Sequence, residues 1–235
     1  MTTFVRLLSV LSLLLSGWAN AYGIKPMVAE LTPSGKTSQL SMTIQNNNTK
    51  PITIEIFPLK LSINASGEEN LSPADSDLLV LPVTAIVQPG QFQSVIVRYI
   101  GAPEIQQSQA YRIAFEQANV ALDENQGPGI GLKFNISTLL NVKPAEAKAD
   151  LRIEKIYRDG EQWKLTIENR GSSYARLSEA DWQINTPDRQ LTLSDKEVRA
   201  HVDGNLILPH STRTFAFSPF GDINPEKMTI TLAMP

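Results

Sequence analysis

The chain contains no cysteine. That single absence excludes disulfide staples, thiol nucleophiles, iron–sulfur clusters held by cysteine and cysteine-ligated zinc. Histidine is nearly as scarce. Only His201 and His210 occur, with no carboxylate pattern around them, so a metal site has little to be built from. No Gly-x-Ser-x-Gly elbow, Gly-rich phosphate loop or His-Glu-x-x-His is present, and with them go the commonest catalytic signatures. Positive charge is not in excess either. Twenty-one Lys and Arg face 24 Asp and Glu, for a net charge of −3, whereas a nucleic-acid binder carries a basic stripe. No cofactor and no nucleic-acid partner is therefore expected. Helical periodicity is missing as well: beyond residue 21, no capped stretch repeats apolar residues at i, i+3, i+4 and i+7.

What is present begins with an export signal. Arg6 supplies a positive start, Leu7 to Leu15 a short apolar stretch, and Ala19-Asn20-Ala21 the small-x-small pattern of a cleavage site. The apolar run is too short for a bilayer core of roughly 30 Å. Residues 1–21 are thus expected to be a signal peptide, and the mature protein to begin at Tyr22 without membrane insertion. An uncleaved membrane anchor is the alternative. In an oxidising compartment a cysteine-free chain must rely on its apolar core.

The remaining pattern has period two. Leu40-x-Met42-x-Ile44, Ile52-x-Ile54-x-Ile56, Val95-x-Val97-x-Tyr99 and Tyr111-x-Ile113-x-Phe115 alternate between turn clusters rich in Gly, Pro and Asn. Asn64 to Asp77 and Asn119 to Gly129 read as polar loops, with Glu68-Glu69 in the first simply solvated. Alternation stops at Pro144 to Asp150 and then restarts through Trp163-x-Leu165-x-Ile167, Trp182-x-Ile184, Phe215-x-Phe217 and Ile230-x-Leu232. Trp163 and Trp182 are expected in the core. Short strands punctuated in this way predict an all-β fold of two sandwiches, residues 22–144 and 151–235, joined by a linker at 145–150.

One strand is too long for its domain. From Ile130 to Val142, the residues Ile130, Leu132, Phe134, Ile136, Thr138, Leu140 and Val142 share one face. Extended at about 3.3 Å per residue they span roughly 40 Å, about twice an ordinary strand. The strand could bridge two sheets or domains, lie wholly inside its own domain, or wait in part for another chain.

Residues 22–144 resemble the N-terminal domain of the PapD-like periplasmic pilus chaperones of chaperone–usher secretion. The resemblance rests on Leu40-Ser-Met-Thr-Ile-Gln-Asn-Asn-Asn, Leu71-Ser-Pro to Leu79-Val-Leu-Pro, Gln88-Pro-Gly-Gln-Phe-Gln-Ser-Val-Ile-Val-Arg98-Tyr, and Tyr111-Arg-Ile-Ala-Phe-Glu116. The long strand closing on Val142-Lys-Pro144 completes it. A looser likeness to the family's C-terminal domain runs through Leu165-Thr-Ile-Glu-Asn-Arg-Gly171. The resemblance implies two immunoglobulin-like domains, a periplasmic location, pilus or fimbrial subunits as partners, and delivery to an outer-membrane usher. It implies no enzymatic activity. It also implies donor-strand complementation, in which Ile130, Leu132, Phe134 and Ile136 enter a groove of the subunit. The resting form is left open between a monomer and a self-capped dimer.

The pattern departs from the family where two basic residues should anchor the subunit's terminal carboxylate. Counting back from Pro144 places Leu139 at one position; the other falls within Val28 to Glu30. None is basic, which resembles the archaic or alternative branches. Arg112 is the first candidate for a replacement anchor and Arg98 the second, each with a solvated charge or an internal ion pair as the competing reading. Two rivals remain: a pilus subunit or adhesin, and an enzyme on a β-sandwich scaffold.

Overall fold

A computed structural model describes residues 22–118, 135–218 and 224–234. The first sandwich is built from ten strands: β1 (Tyr22–Lys25), β2 (Val28–Leu31), β3 (Gln39–Asn46), β4 (Ile52–Ile63), β5 (Glu69–Pro73), β6 (Leu78–Leu81), β7 (Thr84–Val87), β8 (Phe92–Tyr99), β9 (Gln109–Gln117) and β10 (Asn135–Val142). One sheet runs β1-β3-β8-β6. The other runs β2-β10-β9-β4-β5, with β7 also on β4. The alternation explains the layering, because successive side chains on a strand point to opposite faces. Met42, Ile44, Val95 and Val97 from one sheet meet Ile54, Ile56, Ile113, Phe115 and Leu140 from the other in one buried cluster.

The second sandwich contains β11 (Leu151–Asp159), β12 (Gln162–Asn169), β13 (Ala175–Arg176), β14 (Asp181–Asn185), β15 (Gln190–Leu193), β16 (Leu206–Ile207), β17 (Ser211–Phe217) and β18 (Thr229–Ala233). It has its own core around Trp182, Leu165, Phe215 and Ile184. Trp182 is fully buried, and its indole N–H donates to the Leu177 carbonyl at 2.6 Å. Trp163 is only half-buried, tilted against Phe217 with ring centroids 6.3 Å apart. Gly160 lies in the turn between β11 and β12 at φ 59°, a conformation that glycine adopts without steric cost.

Two elements depart from the sequence expectation. Glu69–Pro73 is a strand, not part of a loop, and pairs along β4 from Leu59 to Ile63. All five of its residues are exposed, so an edge strand formed without the apolar alternation that would have revealed it. A helix, α1 (Asp195–His201), also forms. Its seven residues are too few for a periodic signal, and a capping box carries it. Ser194 Oγ accepts from the Glu197 N–H while the Glu197 carboxylate accepts from the Ser194 N–H.

The sandwiches meet through a small apolar contact of Leu61, Ala110 and Leu139 with Leu206, flanked by Ile63, Tyr174 and Leu208. Polar ties reinforce it. Ser108 N–H donates to the Ser172 carbonyl at 2.8 Å, Tyr174 N–H to Ser108 Oγ at 2.7 Å, and Thr214 N–H to the Ala65 carbonyl at 2.8 Å. The last bond brings the tip of the β4–β5 hairpin against the second sandwich.

Candidate functional site

Strand β10 is bordered unequally on its two sides. It pairs with β9 along its whole described length, from Asn135 opposite Glu116 to Val142 opposite Gln109. Its other edge meets β2 only from Leu139 opposite Val28 to Val142 opposite Leu31. The bond from Leu139 N–H to the Met27 carbonyl opens that parallel pairing. Among the described residues, Asn135 to Thr138 therefore present a strand edge with no neighbouring strand. Unpaired strand edges are templates for a further strand.

The side chains of β10 divide in the same place. Thr138, Leu140 and Val142 are at most 1% exposed and belong to the first core. Ile136 is half-buried at the margin of that core. Ile130, Leu132 and Phe134 lie outside the described residues.

Arg112 lies beside this strand, directly opposite Leu139 on β9. Tyr111 and Arg112 are adjacent, so they face opposite sides of the sheet. Tyr111 is fully buried, and its hydroxyl donates to Asp77 Oδ2 at 2.9 Å. Burial, followed by the hydrogen bond and the negative charge of Asp77, pushes its phenol above the ordinary tyrosine range. Arg112 projects to the other side, toward the second sandwich. Its Nε donates to Glu69 Oε2 at 3.1 Å and its Nη2 to Glu69 Oε1, a forked ion pair. Glu69 is thus held by Arg112 and is not the simply solvated carboxylate expected from the sequence. Arg98 is elsewhere. It lies on the exposed face of β8 in the opposite sheet, between Gln39 and Leu79, so the structure brings Arg112 but not Arg98 to the β10 side.

A cavity of about 380 Å³ opens between the sandwiches at this point. Met27, Val28, Ile63, Leu139 and Leu206 make its apolar wall. Its charged groups are Arg112, Arg176, Arg213 and Glu69. Sequence reasoning did not single out Arg176 or Arg213, and no local signal could have done so. They sit on β13 and β17, far from Arg112 in the chain, and only the docking of two domains places them together.

The overall arrangement is shared with several solved structures. The class 5 fimbriae chaperone CfaA superposes with a TM-score of 0.58 at 18% identity, over 92% of this chain and all of that one. The CsuC–CsuE chaperone–tip subunit pre-assembly complex, from archaic chaperone–usher Csu pili of Acinetobacter baumannii, gives 0.59 at 15% identity over 90% and 97%. The SafA pilin–SafB chaperone complex of Salmonella enterica gives 0.55 at 15% over 86% of each. The chain has the PapD-like chaperone fold. No protein-family model and no curated protein sequence matches it. Val28 on β2, Leu139 on β10 and Arg112 on β9 are direct cross-strand neighbours, with Val28 and Leu139 part of the cavity's apolar wall.

Proposed function

We propose that this protein is a periplasmic chaperone that binds pilus or fimbrial subunits by donor-strand complementation and hands them to an outer-membrane usher. The observation that carries the reading is the half-paired β10: its C-terminal half is locked between β2 and β9, and its N-terminal half offers an open edge. An incomplete sandwich that added its own strand there would also receive the alternating row Ile130, Leu132, Phe134 and Ile136. Each such side chain contributes about 1.5–3 kcal/mol on burial, so four contribute on the order of 6–12 kcal/mol before association costs. Sharing a fold with chaperones crystallised with a tip subunit or a pilin supports this partner class over an enzymatic role. Arg112 would then lie at the cleft end of the lent strand, suited to a carboxylate by its forked donors.

The test is co-expression with the small secreted β protein encoded nearest this gene, followed by recovery from the periplasm. Wild type should co-purify with it. Leu132→Asp combined with Phe134→Asp should abolish recovery while thermal unfolding of the chaperone stays within a few degrees of wild type. A folded double variant that still recovers the subunit in full would defeat the donor-strand reading.

A further inference from the structure

The second sandwich carries a cavity of its own that donor-strand binding leaves unused. It has a volume of about 590 Å³ and opens where the turn between β11 and β12, the last turn of α1 and the end of β17 meet. Glu161, Trp163, Arg199, His201, Asp203 and Ala216 are among the residues that line it. None of its lining belongs to the first sandwich. β12 starts beside the cavity at Gln162 and ends at Asn169, which accepts from the Asp150 N–H. At about 3.3 Å per residue the strand sets the cavity roughly 20 Å away from the segment joining the sandwiches.

Trp163 shares a face of β12 with Leu165 and Ile167, both fully buried. At the end of the strand it is only half-buried, and its ring lies beside Phe217. Its indole N–H has no hydrogen-bond partner among the described residues, unlike that of Trp182. The segment after α1 is fastened along β17. Val202 bridges to Phe217, Asp203 N–H donates to the Ala216 carbonyl at 2.8 Å, and Ser218 N–H to the His201 carbonyl at 2.9 Å. His201 Nδ1 is itself 3.0 Å from Ser218 Oγ. Arg199 spends only its Nε, on Asp195 at 3.4 Å. Glu161 and Asp203 enter no ion pair among the described residues. The cavity therefore combines an aromatic ring, uncommitted donors and two uncommitted carboxylates on a backbone fixed by β17.

We propose that this cavity binds a neutral pyranose unit of a glycan. A pyranose has an apolar C–H face and a rim of hydroxyls, each able to donate and accept. Trp163 supplies an apolar ring for the face and an N–H for the rim. Glu161 and Asp203 accept from hydroxyls, and the remaining Arg199 N–H groups donate to them. The volume falls within the range of roughly 300–1,000 Å³ common to small-molecule sites. Two carboxylates oppose an acidic sugar, and Arg199 opposes a simple cation. The site goes beyond the chaperone reading and does not depend on it, because a sugar held here leaves the open edge of β10 free.

The probes are cellotriose and chitotriose, with trigalacturonate as their acidic counterpart. Binding is followed by calorimetry and through the Trp163 indole N–H NMR resonance, assigned from its loss in Trp163→Phe. A neutral trisaccharide should shift that resonance saturably with a Kd below about 1 mM. Trigalacturonate should bind at least about tenfold more weakly. Trp163→Phe keeps an aromatic ring beside Phe217 and should weaken the neutral sugar several-fold. Glu161→Gln combined with Asp203→Asn changes two exposed side chains, so thermal unfolding should stay as in wild type while affinity falls about tenfold. Absence of a saturable shift with both neutral trisaccharides would overturn the proposal. So would wild-type affinity in the folded double variant. Tighter binding of acetylcholine than of either trisaccharide would overturn it too, by making the site one for cations. Failed subunit co-purification with an intact sugar response would sink the chaperone reading and leave this site standing.

Discussion

Asn46 and Asn169 occupy matching places in the two sandwiches, each closing a strand and each completely buried. An amide is suited to such a place because it both donates and accepts. Asn169 Nδ2 donates to the carbonyls of Ser173 at 2.7 Å and Leu208 at 3.1 Å. Its Oδ1 accepts from the N–H groups of Asp150 and Gly171. Asn46 likewise donates to Lys50 and Val87 and accepts from Asn48. Asn169→Asp keeps the shape but loses both donors, leaving two carbonyls unsatisfied beside a buried charge. It should destabilise the protein by at least about 2 kcal/mol, read as a lower urea midpoint. The sequence marked both residues as turn formers, through Asn46-Asn47-Asn48 and Asn169-Arg170-Gly171. It did not disclose that they are buried hubs, because burial depends on what packs over the turn.

At the scale of elements, the segment between the sandwiches is bound to the turn that follows β12. Arg170 N–H donates to the Asp150 carbonyl at 2.9 Å, and Ser173 N–H to the Lys148 carbonyl at 3.0 Å. Gly171 allows this close approach. A Cβ there would lie 2.2 Å from the Lys148 oxygen and 2.6 Å from Ala149 Cα, and those neighbours are backbone with nowhere to yield. Gly171→Ala should therefore displace residues 148–150, lower the melting temperature by several degrees, and make the bonds around Ser108 and Ser172 exchange faster. Hydrogen exchange at the Ser108 amide is the direct measurement. Unchanged protection there would show that the linker carries no share of the docking. Two strands also separate sequence pattern from fold at this scale. β4 was legible from its Ile-x-Ile-x-Ile run, whereas β5 was not, since an exposed edge strand needs hydrogen bonds and not alternation.

Over the whole molecule, two tyrosines tie distant parts together and make stability sensitive to alkali. Tyr111 joins the first core to Asp77, and Tyr174 crosses the domain boundary to donate to Glu30 Oε2 at 2.7 Å. Burial first, and then the acceptor carboxylate, raises both phenols above the ordinary value of 10.0. A raised pKa means that the folded protein holds these protons more tightly than the unfolded chain. Their contribution is complete below pH 10 and declines as pH rises beyond it, because the unfolded state then loses protons that the native state retains. Urea unfolding at pH 9, 10 and 11 should show a falling midpoint above 10. Tyr174→Phe should flatten that fall. A slope identical to wild type would mean that the phenol titrates alike in both states.

Period-two alternation, turn chemistry and the want of cysteine were sufficient to establish an all-β protein of two sandwiches, because each strand's buried face is written locally in its own residues. The same alternation drew attention to the long strand ending at Val142. The charged cleft was only partly readable. Arg112, the first candidate, does lie beside the long strand, but Arg98, the second, lies in the opposite sheet. Glu69, Arg176 and Arg213 gave no signal at all. Charges on separate strands become one site only when register and domain docking set their distances, and no window of sequence contains those. Tertiary structure alone decided that Glu69 would close on Arg112 and that the Nε of Arg213 would be buried without a partner among the described residues.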